Sequence, residues 1–374
     1  MFSLPPTALL CALLPLIAAA VSLPQTDDLS GLSVQLSSPN GKFVDTIDDL
    51  RIVATVTNVG DATVRVVRYG GVLDASHAQS FVVRKGGEPV RFMGVIPQLA
   101  VTFDDEDFYR VLAPNESVSV EHDLAPLYDF ASAGPGEYTF EPLVAVARGV
   151  ASTLLSPTLK STRPQDLKVN VATDVADRLL ESPFYKRAVN TCQDESRKRI
   201  IDASYRESRG LARLAANYIG RNGDDELFKE YFKTNDANTI RQSFRNVARE
   251  NVSTRSLNCR DETGDCKGGR TIAYTVIRTG NIYYCDIFYK EVSVRDLCRN
   301  VKVNDRRIRG GTTLHEMIHG NSFENAAPRA DWILDAGYGC DFDKTLDAQQ
   351  QAHNADNYNC FATQVYKNMA CPDR

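Results

Sequence analysis

The pattern His-Glu-x-x-His occupies positions 315–319 of this 374-residue chain. Because residues four apart lie on one face of a helix, His315 and His319 can present imidazole nitrogens to one zinc ion. Glu316 follows the first histidine, where its carboxylate can reach a water bound to the metal rather than the metal itself. Zinc lowers the pKa of such a water to about 7, and a neighbouring carboxylate can accept its proton during attack on a peptide carbonyl. The pattern therefore predicts a hydrolytic zinc centre.

The helix that carries this pattern is expected to begin near Thr312 or Thr313, whose hydroxyls can cap its first turn, and to end at Gly320. A catalytic zinc ion also needs a third protein ligand and an open position for water. Only His353 remains as a further histidine in residues 188–374, so a carboxylate is the expected donor. Composition and spacing leave several downstream candidates open: Glu324, Asp331, Asp335, Asp341, Asp343, Asp347 and Asp356.

The composition is that of a globular protein of about two domains, with 43% hydrophobic and 24% charged residues. A net charge of −5 argues against nucleic-acid binding, which requires a basic face. A short apolar run at positions 8–20 ends in small residues, as secretory signal peptides do, and no later run is long enough to span a bilayer. Residues 1–20 are therefore predicted to be a signal peptide, and the protein to be secreted, extracellular and not membrane-bound. Glycosylation sequons at Asn115 and Asn251 agree with secretion.

Cysteine usage divides the rest of the chain into two halves. Apart from one cysteine in the predicted signal peptide, all eight lie at or after position 192. An even number without CxxC pairs, in a secreted chain, predicts four disulfides. The dibasic pair Lys186-Arg187 precedes the first of them by five residues, and the net charge changes there from −7 to +2. These features predict a propeptide, residues 21–187, that is cut from a mature domain, residues 188–374.

The two halves also differ in their hydrophobic patterns. Short alternating runs such as 32–36 and 50–57, separated by Gly, Pro and Asn, predict an antiparallel sandwich for the propeptide. Residues 192–219 have apolar positions at helical spacing, and further helices are expected around the strand pair 272–277 and 282–289. The predicted class is α+β, with a mostly helical catalytic domain that contains a small sheet and is preceded by a β-rich propeptide.

Two motifs downstream of the histidines resemble those of a known family. Residues 335–339, Asp-Ala-Gly-Tyr-Gly, have the form DxxYG, and residues 354–358, Asn-Ala-Asp-Asn-Tyr, have the form NADxY. With these motifs the chain resembles the deuterolysin family of secreted fungal zinc metalloendopeptidases, also called neutral protease 2 or aspzincins. The resemblance implies a zincin-like catalytic domain, one zinc ion per chain and a preference for basic protein substrates.

The resemblance also implies roles for particular residues. Asp335 takes the place of the third zinc ligand, and Tyr338 that of a donor to the oxyanion at the scissile carbonyl. Tyr289 is a weaker candidate for the second role. The family's Gly-Thr before this aspartate is absent and the distance from the histidines is longer, so Asp331 and Asp356 remain alternative ligands. Asp356 can instead orient a ligand histidine from behind.

The disulfide pairing follows from the same resemblance, which implies three family bridges and one further pair: Cys192–Cys259, Cys266–Cys285, Cys298–Cys371 and Cys340–Cys360. The aspartates at 331, 335, 341, 343 and 347 either rim the cleft, where they would favour basic peptides, or belong to a solvated loop.

The predicted protein is a monomeric secreted zinc endopeptidase, made as a zymogen, whose partners are protein substrates and its own propeptide. One alternative is a related peptidase specific for lysine. Another is a secreted binding or effector protein that keeps the fold without turnover. A third is a binding role for the β-rich half alone after cleavage.

Overall fold

The computed structural model describes residues 31–100, 106–144, 166–175, 189–250, 255–266, 269–324 and 332–371. The predicted signal peptide, the dibasic pair at 186–187, Asp331 and the sequon at Asn251 lie outside these residues. The other sequon, at Asn115, lies in an exposed turn in which Asn115 has φ 63°. Among the helices of the described residues, none is both long and apolar enough to cross a membrane.

The described part of the N-terminal half, residues 1–187, consists mainly of short strands. They are β1 (Leu32–Ser37), β2 (Phe43–Thr46), β3 (Arg51–Asn58), β4 (Val64–Val67), β5 (Phe81–Lys85), β6 (Glu88–Pro89), β7 (Val95–Leu99), β8 (Tyr109–Leu112), β9 (Ser117–Asp123), β10 (Gly136–Pro142) and β11 (Leu167–Asp174), with one short α-helix, α1 (Phe130–Ala133), and two 3-10 turns. The order is β1-β3-β9 in one sheet and β2-β11-β10-β5-β6 in a second, and β4 pairs with β8. Every second residue of β3 is buried, as a strand with one face on a core requires.

The C-terminal half, residues 188–374, contains the long helices. Its elements are β12 (Val189–Asn190), α2 (Glu195–Asn222), α3 (Glu226–Phe232), α4 (Ala237–Arg249), β13 (Ser256–Asn258), β14 (Thr271–Val276), β15 (Asn281–Tyr284), α5 (Arg309–Glu324), α6 (Cys340–Asp343), α7 (Ala348–Ala352) and α8 (Ala355–Ala370). The Asp194 carboxylate accepts the backbone N–H groups of Ser196 and Arg197, which fixes the start of α2. Helices and sheets occur together, so the α+β class is confirmed.

Helices α2, α4, α5 and α8 pack around a second apolar core, which is distinct from that of the N-terminal half. The rings of Phe232, Phe244 and Phe361 meet in its middle at centroid distances of 5.4–6.5 Å. Four disulfides fasten this half, and all four join the cysteines that the family resemblance implies. The core and the disulfides together give the C-terminal half its own means of stabilisation.

One sheet contains strands from both halves. Its order is β12-β13-β15-β14-β7, so the edge strand next to β14 comes from the N-terminal half. Strands β7 and β14 are antiparallel, with Val95 opposite Val276 and Gln98 opposite Ala273. Sequence patterns did not predict this pairing, which joins segments about 180 residues apart across the predicted processing site.

Candidate metal centre

Helix α5 carries the two histidines and is longer than the sequence predicts. It runs from Arg309 to Glu324, so Thr312 and Thr313 lie inside it rather than capping it, and Gly320 does not end it. The glycine at 320 serves packing instead, because a Cβ there would collide with the guanidinium of the buried Arg255.

The side chains of His315, His319 and Asp335 meet in the interior. The two Nε2 atoms lie 3.0 Å apart, and the Asp335 oxygens lie 3.2 Å from that of His315 and 3.4 Å from that of His319. Both histidines are fully buried, and the aspartate side chain is 8% exposed. The three side chains therefore offer one ligand atom each around a common point.

These distances suit a zinc ion. Bonds of about 2.0–2.1 Å in a tetrahedron place neighbouring ligand atoms about 3.3 Å apart, close to the three separations between these donors. One oxygen each of Glu316 and Asp335 is buried and accepts no hydrogen bond within the described residues. Buried oxygens without a donor are costly unless a cation or water satisfies them. The donor set of two imidazoles and a carboxylate is one that zinc takes.

Neighbouring backbone groups hold the ligands in place. The Nδ1–H of His319 donates to the carbonyl oxygen of Ile333 at 2.8 Å, which turns its Nε2 toward the centre. The loop that carries Asp335 is fastened at Leu334, which exchanges backbone hydrogen bonds with residues 353 and 355 at the start of α8. Asp335 thus reaches the histidines although it lies 16 residues beyond His319.

The charges of the site depend strongly on one another. Burial lowers the pKa of His315, but the carboxylates of Asp335, Asp356 and Glu316 together outweigh burial and raise it to about 10. Burial likewise raises the pKa of Asp335, whereas the two histidines lower it more, to well below its ordinary value. Burial raises the pKa of Glu316 despite the nearby histidines. The aspartate is therefore the anionic member of the site.

Glu316 and Tyr338 complete the group around the three ligands. The hydroxyl of Thr275 on β14 donates to Glu316 Oε2 at 2.6 Å and leaves Oε1 as the oxygen without a donor. The Tyr338 hydroxyl lies 3.0 Å from Asp335 Oδ2 and 2.5 Å from the carbonyl oxygen of Pro97, and its hydrogen is shared between them. A carboxylate and a phenol thus lie next to the three ligands.

Comparison with known proteins identifies the family of the chain. The sequence matches the Deuterolysin metalloprotease (M35) family over residues 4–370. The chain belongs to the deuterolysin family. A neutral protease 2 homolog of Arthroderma gypseum is 28% identical over 96% of this chain and 98% of its own length, and a similar protein of Trichophyton verrucosum is also 28% identical. A zinc peptidase from Grifola frondosa is 19% identical, with a TM-score of 0.36 over 46% of this chain and 96% of its own.

As a deuterolysin, the chain is a zinc metalloendopeptidase that acts on proteins or peptides. The second predicted motif of the family lies at the start of α8, and the carboxylate of Asp356 stands behind His315. Its Oδ1 lies 3.6 Å from His315 Nδ1, whereas its Oδ2 lies 2.7 Å from Arg306 Nε and accepts the Gly339 N–H. Asp356 therefore faces the imidazole nitrogen that points away from the other ligands.

Three of the other acidic candidates have structural partners in this deuterolysin. Asp343 is fully buried and accepts from the Asn354 side chain, and Asp347 caps α7. Asp341 is exposed and accepts from Asn304. His353 lies at the end of α7, where its backbone takes part in fastening the ligand loop. Tyr289, the weaker candidate for the oxyanion donor, packs with its ring against the Arg197 guanidinium at 4.5 Å. Within the described residues no hydrogen bond joins it to the three ligands.

Sequence reasoning missed two side chains of the site, Thr275 and Arg306. The first lies on a buried strand 41 residues before Glu316, and the second is in a left-handed turn with φ 49° just before α5. A buried arginine in such a turn has no local sequence signature. Only the packing of β14 and α8 against α5 brings these residues to the centre.

Proposed function

We propose that His315, His319 and Asp335 bind a single zinc ion and that Glu316 and Tyr338 carry out peptide hydrolysis around it. The observation that carries this assignment is the convergence of the three donor atoms at 3.0–3.4 Å. When bound, zinc would supply an acidified water and polarise the carbonyl of the substrate.

The protein groups would then move the protons. Glu316 Oε1, the oxygen left free by Thr275, accepts the proton of the attacking water and later delivers it to the leaving amine. The Tyr338 hydroxyl, which already donates to a backbone carbonyl, donates to the oxygen of the scissile carbonyl as negative charge develops there.

Among the alternative third ligands, Asp335 has the strongest support. Its two oxygens face the Nε2 atoms of both histidines, whereas Asp356 approaches only the Nδ1 side of His315. An ion bound by the Nε2 atoms of both histidines would therefore lie on the side of the His315 ring that Asp356 does not face. We assign Asp356 to orienting His315 and assign no ligand role to Asp331, which lies outside the described residues.

We further propose that the protein is secreted as a monomeric zymogen. The signal-like residues 1–20, the four disulfides and the dibasic pair Lys186-Arg187 support export, oxidation and processing into a propeptide, 21–187, and a zincin-like mature domain, 188–374. A preference for basic protein substrates rests on the family resemblance. Asp343 and Asp347 give it little support, since the first is buried and the second caps a helix.

The function is tested with the C-terminal half, obtained by cutting the folded chain after Arg187 and removing the N-terminal half. It is expected to degrade a basic protein such as a histone, to lose activity with a zinc chelator and to regain it with added zinc. Glu316→Gln is expected to keep one zinc per chain and lose activity by ~10²–10⁴-fold. Asp335→Ala is expected to lose the ion, whereas Asp331→Ala keeps it.

Two outcomes would favour the alternatives. Wild-type turnover by Glu316→Gln, or no turnover by a zinc-loaded wild-type protein, would indicate a binding or effector protein that keeps the fold. Exclusive cleavage next to lysine in a mixed peptide digest would indicate the lysine-specific peptidase instead.

A further inference from the structure

Strand β7 belongs to the N-terminal half, but it forms the edge of the sheet β12-β13-β15-β14-β7, whose other strands belong to the C-terminal half. Hydrogen bonds from Ile277 N–H to Gly94 O and from Ala100 N–H to Arg270 O fasten its two ends to the β14 side. In an antiparallel ladder every second residue turns its N–H and C=O to the partner. Counting from Gly94, these are Ile96 and Gln98. The intervening residues turn their polar groups away from β14.

The outward carbonyls of β7 meet side chains of the catalytic site. The carbonyl oxygen of Pro97 accepts from the Tyr338 hydroxyl at 2.5 Å, and that of Leu99 accepts from Arg306 Nη1 at 3.5 Å. Pro97 has no N–H, so no donor is left without a partner at that position. The strand thus presents the Pro97 carbonyl to the same phenol that we assign to the oxyanion.

The side chain of Gln98 lies on the catalytic face of this strand. It is opposite Ala273, two residues from Thr275, and opposed residues of antiparallel strands share one face of the sheet. Thr275 uses that face to hold Glu316. Gln98 is fully buried, and neither its carboxamide oxygen nor its nitrogen has a hydrogen-bond partner within the described residues. A carboxamide buried in this way needs a polar partner, and the face it shares carries the zinc-site carboxylate.

Apolar contacts cover the site on both sides of β7. Trp332, just before the ligand loop, is buried in the core of the N-terminal half, and Arg91 lies over its ring at 5.8 Å. On the other side Tyr338 and Phe342 pack in one cluster with Leu99 and Phe108. The N-terminal half therefore holds β7 in place with contacts that do not depend on the peptide bond after Arg187.

We propose that Val95–Leu99 is an inhibitory strand that occupies the place of a peptide substrate at the β14 edge. An extended peptide binds a free sheet edge through backbone hydrogen bonds. Strand β7 occupies the backbone hydrogen-bonding groups along the edge of β14, so they are not open to a substrate. This proposal rests on the proposed function, and it names the residues of the N-terminal half that block the active site. It follows that a cut after Arg187 alone leaves the enzyme inhibited, and that activity appears when the N-terminal half dissociates or is degraded.

The test follows the two halves after the folded chain is cut at Arg187. They are expected to elute together on size exclusion, with the Pro97–Gln98 bond intact by mass spectrometry. Trp332 is the only tryptophan, so its emission should stay blue-shifted after the cut and shift to the red when the halves are separated. Immediate separation without any change in activity would overturn the proposal, and so would cleavage at Pro97–Gln98, which would make the strand a substrate.

A matched pair of variants examines the strand itself. Gln98→Pro removes the N–H that faces β14 and is expected to speed dissociation of the cut halves about tenfold. Gln98→Leu keeps the N–H and the side-chain size, and its halves are expected to remain together. Equal dissociation rates for Gln98→Pro and the wild type would contradict the proposal.

If the Gln98→Pro variant does not fold, a synthetic peptide provides an independent test. The peptide of residues 94–100 is expected to inhibit the separated C-terminal half competitively and to slow hydrogen exchange of the β14 amides, whereas the same peptide with proline at position 98 does neither. Absence of both effects at millimolar peptide would overturn the proposal. Exchange and elution can also be measured with Glu316→Gln, so a protein without turnover would refute the proposed function and still leave the strand testable.

Discussion

The Oδ2 atom of Asp356 lies 2.7 Å from Nε of Arg306, and both side chains are nearly or fully buried. Burial raises the pKa of Asp356, but the Arg306 guanidinium, the His315 imidazole and the Gly339 N–H together outweigh burial and lower that pKa to about 2. The carboxylate therefore stays charged at neutral pH, with its other oxygen directed at Nδ1 of His315. A charged partner on that nitrogen fixes the imidazole orientation and raises its basicity toward a metal.

Replacing Asp356 should therefore weaken zinc binding without removing a ligand. Asp356→Asn is expected to lower zinc affinity by about 10–100-fold, as measured by competition with a chromogenic chelator. Asp341→Asn is the control, because Asp341 is exposed and contacts Asn304 rather than a ligand histidine. Unchanged affinity in the Asp356 variant, with native circular dichroism, would contradict the orienting role.

Tyr338→Phe removes a hydroxyl that lies 3.0 Å from Asp335 and that we assign to the oxyanion. Because that hydrogen bond strengthens in the transition state, kcat is expected to fall about 10²-fold while KM changes little. Steady-state kinetics of the separated C-terminal half measure both. Tyr289→Phe is the control and should leave kcat unchanged, since Tyr289 packs on Arg197. Equal kcat values for the two variants would exclude Tyr338 from the chemistry.

The sequence could predict the parts of the site that depend on local spacing. His315 and His319 are one helical turn apart, and the DxxYG motif places Asp335 and Tyr338 three residues apart on one loop. The end of α5 was predicted wrongly, because Gly320 looks like a helix stop in isolation but is required by the packing of Arg255.

The remaining parts depend on tertiary packing and could not be predicted. Thr275 reaches Glu316 only because β14 packs against α5, and Arg306 reaches Asp356 through a turn that no propensity indicates. The contact between Pro97 and Tyr338 joins residues 241 apart in the chain. The hydrophobic pattern of a strand does not show which strand it pairs with, so the sequence of β7 does not indicate that its partner lies in the C-terminal half.

The Cys340–Cys360 disulfide ties α6, next to the ligand loop, to α8. The double variant Cys340→Ala/Cys360→Ala is expected to lose ~3 kcal/mol of unfolding free energy, and also zinc affinity, because the Gly339 N–H that binds Asp356 lies beside the bridge. Removing Cys298–Cys371, which closes a longer loop, should cost ~4 kcal/mol with zinc affinity unchanged. Denaturation and zinc titration of both variants measure these effects, and equal zinc affinities would argue against coupling of the bridge to the site.

Glu291 gives a prediction for pH, since burial raises the pKa of its carboxyl to about 8. Its Oε1 accepts from Thr312 of α5, while Oε2 is buried and accepts no hydrogen bond within the described residues. The folded state therefore favours the protonated acid more than the unfolded state does. Its contribution to stability is complete below about pH 4.5 and is lost as the pH rises toward 8, on the order of 5 kcal/mol.

Glu291→Gln keeps the shape of the neutral acid and removes this titration. Its unfolding free energy is expected to fall less than that of the wild type between pH 5 and pH 8, so that the variant is the more stable protein at pH 8. Urea denaturation of the uncut Glu316→Gln chain at both pH values measures the difference without self-digestion. Arg306 and Arg307, the cations that act on Glu291, remain charged throughout this range and do not contribute to the change. Parallel pH profiles for the two proteins would show that Glu291 is ionised in the folded state.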